Sequence, residues 1–112
     1  MKKALLALSL IAALPAAERR PIPWEKNRLA VGRAIYRDNC VVCHDIDKAT
    51  SKKMGPSFYH LFQREKMPLS SMKPNREYIT VRVKFGGPIM PAFQKVLSDR
   101  EIGILLDYIA SK

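Results

Sequence analysis

Cysteine is nearly absent from this sequence. The 112 residues contain two, Cys40 and Cys43, and a disulfide-stapled scaffold needs more of them, spread along the chain. Histidine is as scarce, with His44 and His60 alone. A structural zinc site calls for four Cys or His ligands, and only His60 lies outside the cluster at residues 40–44, which argues against that reading. Acidic residues are in deficit: 10 Asp and Glu stand against 20 Lys and Arg, for a net charge of +10. The excess favours anionic partners. It does not point to nucleic acid, because the basic residues are scattered and no nucleic-acid-binding motif accompanies them. Internal repeats and low-complexity stretches are lacking as well. Eight prolines outnumber five glycines, which suits a chain with many non-helical connections.

Only one long apolar run is present, from Ala4 to Ala17, and it carries no charge. It is shorter than the roughly 20 residues needed to span a bilayer. Met1-Lys2-Lys3 precedes it, and small residues followed by Glu18-Arg19-Arg20 come after. This is the three-part layout of a secretory signal peptide. Residues 1–17 are therefore expected to direct export to the periplasm or outside the cell, with no stable membrane insertion. No cysteine sits near the cleavage region, which argues against a lipid anchor. Removing Lys2 and Lys3 leaves the remaining chain strongly basic.

A chain of this length suits one domain with a modest core, the size class that often relies on a metal or cofactor. Residues 18–27 hold Pro21 and Pro23 and read as an extended lead-in, with Trp24 docking on the body of the domain. Asn27 is a candidate cap for a helix in which Leu29, Gly32, Ile35 and Tyr36 recur at helical spacing up to about Asn39. Residues 45–53 and 64–74 read as loops, and residues 57–63 as a short helix. Residues 75–85 are ambiguous. Ile79, Val81, Val83 and Phe85 alternate with polar residues in a strand pattern, whereas Asn75 and Gly86-Gly87 look like helix signals. Ser98-Asp99-Arg100-Glu101 is a capping box, and it opens a helix with Ile102, Leu105, Leu106 and Ile109 on one face.

The chemistry is carried by Cys40-Val41-Val42-Cys43-His44, the pattern of covalent c-type haem attachment. Two thiols add across the two vinyl groups of a porphyrin, so they must sit about one helical turn apart. The histidine that follows is then carried under the iron. A thioredoxin-like dithiol shares the Cys-x-x-Cys spacing, but it belongs to a βαβ context that this sequence lacks. A methionine thioether is the expected partner of the histidine on the iron, and raises its reduction potential. Met54, Met67, Met72 and Met90 are available. Met90 is favoured: Gly86-Gly87-Pro88-Ile89 before it lets backbone lie close to a flat ring, Pro91 stiffens the loop, and the position is far from His44 in sequence. His60, among Phe58, Tyr59, Leu61 and Phe62, reads as an ordinary packed or surface histidine.

From Leu29 onward these motifs together resemble the class I cytochromes c, most closely the small bacterial monohaem type. The resemblance implies an all-α cytochrome c fold over residues 28–112, with four to five helices around one covalent haem c. It implies that residues 75–85 are helical, against their local pattern. It implies that Gly32 and Tyr36 of the first helix cross Leu105 and Tyr108 of the last. Gly55-Pro56 resembles the family element whose proline carbonyl accepts a hydrogen bond from the proximal histidine, and Gly86-Gly87-Pro88-Ile89-Met90-Pro91 its ligand loop. Cys40, Cys43, His44, Pro56 and Met90 are thus the expected haem-binding residues, with His44 and Met90 on the metal. Phe58, Phe62, Phe85, Ile89 and Phe93 are expected to line the pocket and exclude water.

The function this implies is electron transfer by an exported monohaem carrier, not catalysis. Its partners would be redox proteins with acidic docking surfaces. Lys52, Lys53, Lys66, Lys73, Lys84 and Lys95 are either a steering ring around the haem edge or plain solvated surface. Two alternatives stand beside it. One is a dedicated haem subunit or acceptor of an exported dehydrogenase or oxidase. The other is a gas-binding or peroxide-reacting haem protein, which requires that Met90 leave the sixth position open.

Overall fold

The three-dimensional structure, a computed structural model, describes residues 26–112. The export segment 1–17, Trp24 and all but the end of the lead-in lie outside the described residues. Ser98 begins the helix at the centre of the core. Its hydroxyl accepts from the backbone N–H of Glu101, and the Glu101 carboxylate accepts from the N–H of Ser98. The capping box read in the sequence is therefore present, with both of its hydrogen bonds. The helix covers Asp99–Ala110 and is here called α3. Ile102, Leu105, Leu106 and Ile109 are all essentially buried. Each such side chain contributes about 1.5–3 kcal/mol of transfer free energy.

Helix α1, Arg28–Asn39, crosses α3. The crossing depends on Gly32, where an added Cβ would lie 2.5 Å from Tyr108 Cβ and 2.7 Å from the Ile104 carbonyl oxygen. No side chain fits there, so the two backbones meet directly. The Tyr36 and Tyr108 rings flank this point with centroids 5.9 Å apart. Asn27 occupies the capping position of α1, but its side chain makes no capping hydrogen bond. Leu29, expected on the packed face, is half exposed.

Residues 75–85 are helical, as the resemblance implies: α2 covers Arg76–Phe85. Asn75 caps it by accepting from Tyr78 N–H, Glu77 complements the helix dipole in the first turn, and Gly86 stops it at φ 70°. The alternating pattern misleads because only Ile79 and Val83 are buried, four residues apart on one helical face, while Val81 and Phe85 face solvent. A strand would have put all four on one side.

Asp107 of α3 joins the three helices. It pairs with Arg28 of α1 and accepts from Arg76 of α2 at 2.6 Å, and Arg76 also donates to the Gly103 carbonyl at 2.7 Å. The described residues hold these three α-helices, one 3-10 turn at Leu61–Gln63, and no strand. The α-helices fall short of the four to five expected, because residues 57–60 are not helical. There Ser57 O–H donates to the Lys48 carbonyl and accepts from Tyr59 N–H, which holds the segment in a turn.

Candidate functional site

The end of α1 runs directly into the paired cysteines. Cys40 N–H bonds the Tyr36 carbonyl at 2.8 Å, and the N–H groups of Cys43 and His44 both bond the Cys40 carbonyl, at 3.1 and 3.0 Å. The two thiols are thus carried on one continuous turn and form no disulfide. Burial, aided by Cys43, pushes the Cys40 thiol up to about 11, the reverse of the depressed pKa of a reactive dithiol. Loop contacts brace the turn from outside. Gly55 N–H donates to the Cys43 carbonyl at 2.7 Å, Phe58 N–H to the Asp45 carbonyl at 2.8 Å, and Lys53 Nζ to the Val41 carbonyl at 2.6 Å.

His44 is buried and fixed on every side. Its Nδ1 lies 2.7 Å from the Pro56 carbonyl oxygen. A carbonyl only accepts, so Nδ1 carries the proton and Nε2 keeps its lone pair. The ring stacks on Phe58 with centroids 4.3 Å apart and planes 19° from parallel. Gly55 also lies against the ring, where a Cβ would come within 2.6 Å of Nδ1 and 2.8 Å of Nε2. The backbone is held as well, since the buried Tyr36 hydroxyl donates to the His44 carbonyl at 2.7 Å. Burial lowers the His44 pKa below its ordinary value; Lys53 lowers it further, and the Pro56 bond opposes both. The imidazole is therefore neutral at pH 7, the form that ligates a metal.

His44 and Cys43 stand in the wall of a cavity of about 460 Å³, within the roughly 300–1,000 Å³ range of small-molecule and cofactor sites. The same cavity is lined by Pro56, Phe58, Met67, Ile79, Leu105 and Met90, so its surface is predominantly apolar. Met90 arrives on a loop that closes on itself. Gly87 N–H donates to the Met90 carbonyl at 2.9 Å, and Phe93 N–H returns to the Val83 carbonyl of α2 at 3.0 Å. Gly86 permits the closure: a Cβ there would strike the Met90 carbonyl oxygen and lie 2.8 Å from the Pro91 carbonyl carbon.

Compared with known proteins, residues 27–109 match the family model described as cytochrome c oxidase, cbb3-type, subunit III. The chain belongs to this family. It is a c-type cytochrome, with covalently bound haem c, haem-based electron transfer as its chemistry and redox proteins as its partners. No solved structure matches the chain.

The residues present fit that haem. The cytochrome has two cysteines on one turn, a neutral imidazole with one nitrogen committed and one available, and an apolar cavity beside them. Among the described residues no group of three or more His, Cys, Asp or Glu side chains is placed to hold a metal ion. No helix among them is long and apolar enough to cross a membrane.

Of the residues singled out in the sequence, Cys43, His44, Pro56 and Met90 meet at the cavity, while Cys40 sits just outside its lining at the end of α1. His60 is exposed and does not line it. The aromatic wall differs from expectation. Phe58 and Ile89 line the cavity, but Phe62 and Phe93 pack on the helical core instead, and Phe85 is exposed on α2. Leu61, Tyr78 and Arg82 line it and were not singled out. Tyr78 and Arg82 are four apart on α2, as are Ile79 and Val83, which together form its cavity side. Helical periodicity would have found them once the strand pattern was set aside. Of the six lysines, all but Lys84 are exposed; Lys53 pairs with Asp45 and Lys84 with Asp99. Ser51 and Lys53 hold the Asp45 carboxylate below its usual pKa.

Proposed function

We propose that this cytochrome is an exported, periplasmic monohaem electron carrier of the small class I type, with His44 and Met90 as its axial ligands. In this reading residues 1–17 direct export, residues 18–27 lead in, and residues 28–112 form the haem domain. The observation that carries it is the shared cavity: a neutral His44, already hydrogen-bonded through Nδ1 to Pro56, and Met90 on a closed loop line the same apolar space.

The haem, once bound, supplies the one-electron chemistry; the chain supplies its setting. Cys40 and Cys43 tether the group. The Pro56 carbonyl orients the imidazole and raises its basicity as a ligand. Phe58, Leu61, Ile79 and Leu105 exclude water, which favours the less charged, reduced state of the site. With His44 and Met90 holding the iron, no position on it would be left open for a substrate. The exposed lysines steer an acidic partner and speed encounter at a small, transient interface.

The test is the visible spectrum of protein matured with covalent haem. We expect haem retained after acid–solvent extraction, a weak far-red band in the oxidised form, and loss of that band in Met90→Ala. Met67 lines the same cavity, so Met67→Ala is the control and should keep the band. A band that survives Met90→Ala would reassign the ligand. Ready carbon monoxide binding by the unmodified protein would replace the carrier reading with a gas- or peroxide-reacting one.

The family description favours a second reading, a haem subunit of an exported oxidase. The chemistry is unchanged, but a permanent partner would co-purify with the cytochrome at stoichiometric yield, and a carrier would not.

A further inference from the structure

Arg82 is the one charged side chain among the described residues that line the cavity. It stands one turn before the end of α2, and Gly86 N–H bonds its carbonyl at 2.8 Å. Its guanidinium reaches forward and back at once. One nitrogen donates to the Tyr78 hydroxyl at 2.8 Å and another lies 3.3 Å from the Gly86 carbonyl oxygen, with Cζ 5.6 Å from the Tyr78 ring centroid. Gly87 is bare on the side that faces it: a Cβ there would fall 2.5 Å from Nη1 of Arg82. The first two residues of the Met90 loop are therefore each engaged twice. Gly86 is bonded to Arg82 through its carbonyl and packed under the Met90 carbonyl, and Gly87 abuts the guanidinium while its N–H holds Met90.

Arg82 is exposed, yet its guanidinium is held at three points, by the Tyr78 hydroxyl, the Gly86 carbonyl and the bare face of Gly87. We propose that Arg82 is a positioning residue for Met90. Braced by Tyr78, its guanidinium holds the entry of the loop against α2 and so sets how firmly the Met90 sulfur stays on the haem iron. This rests on the axial ligation proposed above. A charge-assisted hydrogen bond to a fixed carbonyl is stronger than a neutral one, and Arg supplies it in a planar fork that Lys and Gln lack. Without it, the loop keeps its backbone return at Phe93 but loses the restraint at its entry.

The measurement is imidazole titration of the oxidised holoprotein, followed by disappearance of the far-red band. Exogenous imidazole binds only when the sulfur leaves, so its apparent affinity reads how firmly the loop holds. In Arg82→Gln we expect binding about tenfold tighter than in the unmodified protein, the size of one charge-assisted hydrogen bond. Gly87→Ala is the second probe. Its methyl displaces only the far end of the flexible Arg82 side chain, and Gly87 does not have a positive φ, so the fold is retained. It should tighten imidazole binding to a similar degree, and the double variant should add little to either single one, because both remove one interaction. Unmodified affinity in both single variants, with the band intact, overturns the proposal. So does a lowered thermal midpoint without a change in affinity, which would mark Arg82 as merely structural. If the unmodified protein has no far-red band, or keeps it in Met90→Ala, the axial assignment itself fails and this inference falls with it.

Discussion

The Nδ1 atom of His44 stands 2.7 Å from the carbonyl oxygen of Pro56, and the preceding residue, Gly55, is pressed against the same imidazole. One dipeptide thus sets both the tautomer and the tilt of the ring. Gly55→Ala should separate the two effects, since it preserves the Pro56 carbonyl but places a methyl within 2.6 Å of Nδ1. We expect the ring to be displaced and the fold to lose about 1–3 kcal/mol, as for other overpacked sites. Thermal unfolding and the absorption spectrum of the holoprotein check this together. An unchanged midpoint with an unchanged spectrum would show that the ring has room the structure does not reveal.

The helix crossing makes a sharper contrast. Gly32→Ala drives a methyl into Tyr108 Cβ and the Ile104 carbonyl oxygen, which are backbone or next to it and cannot swing aside. Gly103→Ala meets nothing nearer than an Arg28 nitrogen at 3.9 Å. We expect Gly32→Ala to lower the melting temperature by roughly 4–8 °C for each kcal/mol lost. Gly103→Ala should be neutral or raise stability by up to about 1 kcal/mol through helix propensity alone. Calorimetry of the two variants side by side tests the crossing, and equal melting temperatures would contradict it.

Asp107 carries a pH dependence. Burial raises its pKa, but the hydrogen bonds from Arg28 and Arg76 outweigh that and leave it below the ordinary carboxylate value. A carboxylate depressed in the folded state stabilises fully above its unfolded pKa of about 3.9, and that contribution is lost as pH falls toward the folded value. We expect Asp107→Asn to be less stable than the unmodified protein at pH 6 and the difference to shrink below about pH 4. Denaturant titrations at both pH values provide the check; a difference that grows with acid has the wrong sign.

The capping box offers a further test of α3. Ser98→Ala removes the acceptor for Glu101 N–H, and such substitutions cost about 1 kcal/mol. The reduction should appear in the denaturation midpoint with the slope unchanged, because the surface exposed on unfolding is the same.

Much of the fold and site was legible where local chemistry and tertiary context agree. Ser98 and Glu101 make their hydrogen bonds inside one turn, and Ile102, Leu105, Leu106 and Ile109 fall on one stripe whatever they pack against. Residues 75–85 were not legible from the local pattern. Four alternating apolar residues satisfy a strand, and only contact of Ile79 and Val83 with the core decides which of them are buried. The aromatic residues failed for a related reason. Phenylalanine is apolar in any position, so composition cannot tell Phe58, beside His44, from Phe85, in solvent.

The sequence by itself was enough to point to covalent haem c, the cofactor of this family. Cys40, Cys43 and His44 are neighbours along the chain, so their spacing is a property of the backbone and survives any arrangement of the rest. Tertiary structure alone decided what surrounds that turn. Pro56, Gly55 and Phe58 reach the imidazole, and Met90 reaches the cavity, through contacts that depend on how the chain folds back. Such contacts join residues well apart in sequence, and no local propensity encodes them; the same holds for the crossing of α1 and α3 at Gly32.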